Sequence, residues 1–193
     1  MPKQVDHEER RRRIAEAVCA LIDSQGLEGV TLRDVATRAE VSMGAVQRCF
    51  RTKDEMLRFA LDHIGEQVTG RAHARLVAAP AQSAASAVGH VVGEVALLRE
   101  ERRAEARIWL AFLAAAAVNP SLAASLRSSY ADLEGLLTRL VAEASGSVDA
   151  RREARTVLAL ADGLTGHVLI GQRTSEEAEE LLHAHLARLW EAG

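Results

Sequence analysis

The sequence TLRDVATRAEVSMGAVQRCFRTK, residues 31–53, contains three closely spaced signals for the start of a helix. Thr31 is followed three residues later by a carboxylate, and Ser42 precedes a second short segment, so both can act as helix N-caps. Thr52 and Glu55 have the spacing of a capping box, which predicts the start of a longer helix. Because these caps lie so close together, only two short helices and a tight turn fit between the first and the last.

The two short helices have the spacing of a helix-turn-helix unit. Ala36 is small where the helices must approach each other, and further apolar residues can pack between them: Val35, Ala39, Val41, Val46 and Cys49. The second helix, from Ser42 to about Cys49, is predicted to point four side chains outward: Met43, Ala45, Gln47 and Arg48. Because Gln can pair with adenine, Arg with guanine, and Met or Ala with a thymine methyl group, this face is suited to reading bases in a major groove.

Residues that can contact phosphates flank this second helix. Thr31 and Thr52 offer hydroxyls and free amides at helix starts, and Lys53 places a charge at the start of the longer helix. Each such residue could instead be an ordinary cap or a solvated charge, but their joint spacing favours DNA. The predicted DNA-binding residues are Thr31, Arg33, Ser42, Met43, Ala45, Gln47, Arg48, Arg51, Thr52 and Lys53.

The rest of the chain also has the pattern of helices. Aromatic residues make up 3% of the 193 residues and only three prolines occur, so we predict an all-α fold with a core of Ala, Leu and Val. The first helix is expected to end at Gly26 and the fourth to run to Pro80. Later breaks are predicted at Asn119-Pro120, at residues 145–149 and at Gly171–Thr174, where Thr174 and Glu177 form another capping box. The total is about nine helices, of which about five follow Pro80.

Several function classes lack the residues that they would need. No segment has 18 consecutive apolar residues and the N-terminus is highly charged, so we expect a cytoplasmic protein without a membrane partner. Cys19 and Cys49 are interpreted as small buried residues. His63 and Glu66 could share a metal, but no third ligand is apparent, so no metal or cofactor is predicted. The sequence has no nucleophile elbow, phosphate-binding glycine loop or His-Glu-x-x-His motif, which argues against an enzyme.

Residues 10–61 resemble the DNA-binding domain of TetR-type transcriptional regulators. The shared features are the helix that ends at Gly26, the Thr-x-x-Asp-Val-Ala run at 31–36, Val41-Ser42 with Gly44, and Phe50 followed by Lys53. The family often has Gly where this chain has Glu40, at a helix end that favours positive φ, so a strain of about 1 kcal/mol is expected unless the turn differs. The family usually has aromatic residues where this chain has Gln47 and Cys49, so the phosphate contact that the first of these aromatics usually makes is not expected here.

A fainter resemblance covers residues 100–190. Residues 107–112, with Trp109 and Phe112, and residues 161–164, Ala-Asp-Gly-Leu, are similar to the ligand-binding domain of the BetI-like subgroup. The resemblance implies a helix-turn-helix DNA-binding domain at residues 1–52 and a ligand-binding and dimerisation domain at residues 53–193. It also implies a homodimer closed by the last two helices, with a small-molecule cavity in each subunit.

Two apolar stripes favour the homodimer independently of the resemblance. They lie on the last two predicted helices and comprise Val157, Ala161, Leu164 and Val168, followed by Ala178, Leu181, Leu182, Leu186 and Leu189. Two such helices from each subunit could form a four-helix interface. The alternative is that both stripes pack inside their own domain.

Aromatic residues and isolated polar residues are the candidates for an effector pocket. The predicted ligand-binding residues are His63, Gln67, Trp109, Phe112, Leu113, Tyr130, Asp162 and His167. The alternative for each is core packing, a hydrogen bond within the core or simple exposure. Because Ala, Leu and Val surround them in the sequence, we expect an apolar or amphipathic small molecule.

Together these features predict a ligand-responsive regulator, a repressor that binds a palindromic operator in double-stranded DNA as a homodimer and is released by a small-molecule effector. The alternative is an all-helical carrier or enzyme that does not bind DNA.

Overall fold

The computed structural model describes residues 2–78, 83–145 and 149–191, with side-chain surroundings from residue 7 onward. Within these ranges the chain is all-α, as predicted, and forms nine α-helices. They are α1 (Pro2–Gln25), α2 (Leu32–Arg38), α3 (Met43–Cys49), α4 (Lys53–Ala78), α5 (Ala84–Val95), α6 (Arg103–Ala116), α7 (Pro120–Ser145), α8 (Ala150–Leu169) and α9 (Ser175–Glu191), with a 3-10 turn at Glu100–Arg102. The predicted break at Pro80 and part of the break at residues 145–149 lie outside the described residues.

The predicted caps at the two short helices are confirmed. The Thr31 hydroxyl accepts a hydrogen bond from the backbone N–H of Asp34 at 3.2 Å, which starts α2. The Ser42 hydroxyl accepts from the backbone N–H of Ala45 at 3.2 Å, which starts α3. Gly26 ends α1 at φ +76°, a conformation that glycine adopts without steric cost.

The two predicted capping boxes have different outcomes. At α9 the box is complete, because the Thr174 hydroxyl accepts from the N–H of Glu177 at 3.2 Å and the Glu177 carboxylate accepts from the N–H of Thr174 at 2.9 Å. At α4 the Thr52 hydroxyl accepts from the N–H of Glu55 at 3.0 Å, but the Glu55 carboxylate binds the N–H of Arg51 at 2.8 Å. The reciprocal bond therefore goes to the residue before the cap.

The loop between α5 and α6 has no counterpart among the predicted breaks. It contains Leu97 at φ +50°, a left-handed conformation without a glycine. The Thr165 hydroxyl lies 2.6 Å from the backbone oxygen of Ala96 and 2.8 Å from that of Ala161, so this buried side chain links the loop to α8. No glycine or proline within the loop marks the break in the sequence.

The chain divides into two compact units. The first unit comprises residues 1–66 and 107–127, and the second comprises residues 67–106 and 128–193. These bounds describe compactness, whereas the division between residues 52 and 53 concerns function and stays a prediction. No helix among the described residues is long and apolar enough to cross a membrane.

The core of the second unit contains the two stripes that were predicted to form the dimer interface. Eight of the nine residues are buried within the single chain, and only Leu181, at 43% exposed, is not: the buried ones are Val157, Ala161, Leu164, Val168, Ala178, Leu182, Leu186 and Leu189. They pack with α5 and α7 in one hydrophobic cluster. For these eight residues the prediction that they form the dimer surface is therefore wrong, because their own unit already covers them, and for Leu181 it stays a prediction.

Glu40 ends the turn after α2 in the left-handed conformation, at φ +54°. A side chain with a Cβ is strained there, so we expect Glu40→Gly to raise the free energy of unfolding by about 1 kcal/mol. Denaturant titration of both proteins measures the change. Glu40→Ala removes the same charge but keeps the Cβ, so it should give no such gain. An equal gain in the free energy of unfolding from both variants would mean that the charge of Glu40, and not its backbone conformation, destabilises the protein.

Candidate DNA-binding and effector sites

Helices α1, α2 and α3 pack together and fix the orientation of α3. Helix α2 packs against α3, and the residues predicted to lie between them are covered: Val35, Ala36, Ala39, Val46 and Cys49 are buried and Val41 is half-buried. Cys19 and Cys49 are both buried, as predicted, and neither forms a disulfide. With its inner side covered in this way, α3 has one exposed side.

The exposed side of α3 carries three of the four side chains predicted to face outward. Met43 is 47% exposed, and Gln47 and Arg48 are also exposed. Ala45 is buried, so its prediction is wrong. The reason is helical phase, since at 3.6 residues per turn Ala45 falls on the same side as Val46 and Cys49.

The predicted phosphate-contacting residues all lie at the surface of the first unit. Thr31, Arg33, Ser42, Arg51, Thr52 and Lys53 are exposed. The hydroxyls of Thr31 and Ser42 cap α2 and α3, and that of Thr52 caps α4. Each helix start therefore lies close to an exposed hydroxyl.

Two arginines of α1 contact the helix-turn-helix unit, and neither contact was predicted from the sequence. The Arg11 guanidinium lies 4.7 Å from the ring centroid of Phe50 and 4.4 Å from that of Phe59. The two rings are themselves 5.4 Å apart. Arg13 donates to the backbone oxygen of Ala39 at 3.0 Å, at the end of α2. The run of four arginines at residues 10–13 was visible, but not the distant groups that they contact.

The predicted effector residues divide between the two units. In the first unit Phe112 is fully buried, and His63, Trp109 and Leu113 are half-buried. In the second unit the half-buried Tyr130 hydroxyl donates a hydrogen bond to the Asp162 carboxylate. This contact joins two of the predicted polar groups.

Two of the predicted effector residues do not fit an enclosed pocket. Gln67 on α4 and His167 on α8 are both exposed. A polar residue within an apolar helical pattern can lie at the edge of the apolar face, and the pattern alone does not separate this case from a pocket. We therefore leave both residues out of the proposed effector site.

A cavity of about 830 Å³ in the second unit lies elsewhere and is highly charged. Its lining comes from the α5–α6 loop, the start of α6, the end of α8, the α8–α9 loop and the start of α9, and includes Arg99, Arg103, Arg173 and Glu179. None of the eight predicted effector residues lines it. This cavity therefore does not have the apolar character that the sequence predicts for the effector pocket.

The second unit also contains a charged cluster that was not predicted from the sequence. The buried Glu94 carboxylate lies 3.5 Å from Arg71, 3.2 Å from Arg75 and 3.8 Å from Arg99. Arg71 also forms an ion pair with Glu105. The cluster connects α4, α5 and α6 within the second unit, and breaking it by removing one partner would leave buried charge unpaired.

Asp62 and Glu66 form a like-charged pair on α4, next to the half-buried His63. Partial burial raises the pKa of Asp62, repulsion by Glu66 raises it further, and Arg58 opposes the shift.

Among the described residues, no three His, Cys, Asp or Glu side chains lie together in a way that could hold a metal ion.

Two family models match the chain, one in its N-terminal part and one in its C-terminal part. Residues 14–59 match the family model for bacterial regulatory proteins of the tetR family, and residues 84–191 match the model for the C-terminal part of BetI-type transcriptional repressors. The second match alone covers more than half of the chain.

Curated relatives and solved structures agree with these matches. The HTH-type transcriptional regulator PksA of Bacillus subtilis is 33% identical over 180 residues, which cover 88% of this chain and 83% of the relative. BetI of Paraburkholderia phymatum is 32% identical over 167 residues, or 85% and 83% of the two chains.

Two similar crystal structures extend the comparison to the fold. A transcriptional regulator from Rhodococcus is 31% identical, with a TM-score of 0.84, and the match covers 94% of this chain and 96% of that one. A regulator from Saccharomonospora viridis, solved with choline, is 23% identical with a TM-score of 0.83, over 93% and 96% of the two chains. These relatives are transcriptional regulators and not enzymes. The chain therefore belongs to the TetR family of bacterial transcriptional regulators and has a C-terminal domain of the BetI type.

Proposed function

We propose that this regulator is a repressor that binds a palindromic operator as a homodimer and is released by a small-molecule effector. The observation that carries the proposal is the exposed side of α3. Met43, Gln47 and Arg48 are exposed there, whereas the opposite side of the helix is buried. The description of the C-terminal family as repressors supports the direction of the regulation.

In this proposal α3 is the recognition helix and lies in the major groove. Gln47 and Met43 are one helical turn apart, so an adenine edge and a neighbouring thymine methyl group are suitable partners for them. Arg48 has the donors to bind a guanine edge through two hydrogen bonds. Ala45 is left out of the base-reading set because it is buried.

Phosphates on either side of α3 are bound by the exposed groups at the helix starts. Lys53 provides a charge at the start of α4, and Arg33 and Arg51 provide charges near α2 and α4. Backbone amides at the starts of α2 and α4 add donors beside Thr31 and Thr52. In functional terms, residues 1–52 form the DNA-binding domain and residues 53–193 form the effector-binding and dimerisation domain.

The homodimer uses the sides of α8 and α9 that the single chain leaves exposed. Ile170 at the end of α8 is 77% exposed and Leu181 on α9 is 43% exposed. Gly163 and Ala184, on the same sides of these helices, are exposed and small. A Cβ added at Gly163 would meet no atom within 4 Å in the single chain, so a partner helix can approach closely there.

The effector is a small amphipathic molecule, and the Tyr130–Asp162 pair is its polar recognition group. The hydrogen bond between the two side chains holds the carboxylate in place. A small organic cation, such as the choline present in the Saccharomonospora structure, has the charge and the apolar surface to suit an aromatic ring next to a carboxylate. His63, Trp109, Phe112 and Leu113 remain predictions from the sequence.

Selection of duplexes from a randomised pool tests the proposal. The full-length protein should enrich a palindrome whose half-sites lie about one helical turn, or a multiple of it, apart. Affinity for the enriched duplex should fall steeply as the salt concentration rises, because binding to phosphates releases counterions. A pool without any enriched sequence, or an affinity that does not respond to salt, would contradict the proposal.

A further inference from the structure

The exposed side of α3 has a gap at its centre. At about 100° per residue, the exposed Met43, Gln47 and Arg48 and the half-buried Gly44 follow one another around the helix in the order Met43, Gln47, Gly44 and Arg48. Gly44 therefore lies between Gln47 and Arg48, which are both proposed to read bases. It contributes no side chain of its own to this face.

The fold itself does not require glycine at this position. Gly26 and Gly171 have φ of +76° and +73°, which explains their use, but Gly44 is within a helix and has no such conformation. A Cβ added at Gly44 would meet only the Nη1 atom of Arg48 within 4 Å, at 3.5 Å, which is an ordinary contact. Alanine would therefore fit, and alanine favours a helix more than glycine does.

We propose that Gly44 is the point of closest approach between α3 and the DNA, where the edge of a base pair lies against the helix backbone between Gln47 and Arg48. The inference rests on the proposed function. A methyl group at this point would hold the helix away from the base edges, so both neighbouring side chains would reach them less well. The cost would appear in specific DNA binding and not in the stability of the free protein.

The test compares Gly44→Ala with Gly135→Ala. Gly135 on α7 is a matched control, because a Cβ there would also meet the Nη1 atom of the arginine four residues later, Arg139, at 3.7 Å. The probes are a duplex selected by the wild-type protein and an unselected duplex of the same length. We expect Gly44→Ala to bind the selected duplex at least about tenfold more weakly, to bind the unselected duplex as the wild type does, and to unfold at no lower temperature. Gly135→Ala should match the wild type on both probes.

A second comparison asks whether Gly44 acts only by leaving room for Arg48. In the Arg48→Ala background the added methyl group no longer meets a guanidinium, so any remaining loss must come from the approach to DNA. We expect Gly44→Ala to weaken binding to the selected duplex in this background as well. No loss in the Arg48→Ala background, unchanged binding by Gly44→Ala alone, or a lowered unfolding temperature would each overturn the inference. If the wild type selects no duplex at all, the proposed function fails first, and this outcome is distinct from the others.

Discussion

Gly163→Arg is expected to convert the homodimer into folded monomers and to abolish binding to the selected duplex. Gly163 is exposed in the single chain and has open space around it, so the new side chain can be accommodated in a monomer. In the proposed interface the same side chain would bury an unpaired charge, which costs several kcal/mol. Each monomer would then present one recognition helix to a site that needs two. Sedimentation and DNA binding measured on the same preparation should show both losses together.

The control variants separate dissociation from unfolding. Gly70→Arg places the same charge at an exposed helical glycine on α4, also with open space around it, and should leave the dimer intact. Leu182→Arg should unfold the second unit instead, because Leu182 is only 2% exposed within the single chain. A Gly163→Arg protein that remains dimeric would place the interface elsewhere.

Arg48→Ala and Gln47→Ala are expected to change which half-sites are preferred, whereas Lys53→Ala should weaken binding to all duplexes about equally. Base contacts discriminate by about 1–3 kcal/mol for each good pair of hydrogen bonds, and phosphate contacts carry no sequence information. Lys53→Ala should also reduce the magnitude of the slope of log affinity against log salt concentration by about one, because one phosphate contact is lost. Competition among duplexes with single base changes measures the preference.

Arg38→Ala is the matched control for these variants. Arg38 is an exposed arginine at the end of α2 and lies outside the predicted DNA-binding residues. Its removal lowers the net charge by the same amount as the other arginine variant but should leave the preference unchanged. If Lys53→Ala alters the preference and Arg48→Ala and Gln47→Ala do not, the assignment of α3 as the reading helix is wrong.

Local signals made the DNA-binding half of the fold predictable. A cap and its partner lie three residues apart in the chain, so Thr31 and Ser42 could be placed from the sequence alone. Arg11 shows the limit of this approach, because Phe50 and Phe59 are distant in the sequence and nothing local pairs them with it. The α5–α6 loop could not be predicted either. Leu97 adopts a positive φ there, and no glycine, the residue that usually has this conformation, indicates the break in the sequence.

The dimer surface was less predictable, because an apolar stripe in the sequence does not indicate whether its own chain or a partner chain covers it. The two stripes that contain Leu164 and Leu186 are strongly periodic, and the pattern is the same for a core inside one chain as for an interface between two chains. Only the packing of α5 and α7 against α8 and α9 decides between them. Exposed small residues such as Gly163 give a weaker periodic signal, although they mark the proposed contact.

Replacement of half-site purines by their 7-deaza analogues is the most direct test of the claim that α3 reads bases in the major groove. This change removes the N7 acceptor, which is accessible only from the major groove, and leaves the phosphates and the minor groove intact. At a guanine bound by Arg48, the replacement should weaken the wild-type protein about tenfold or more and should have little further effect on Arg48→Ala. Unchanged affinity at every replaced purine of the half-site would contradict the account.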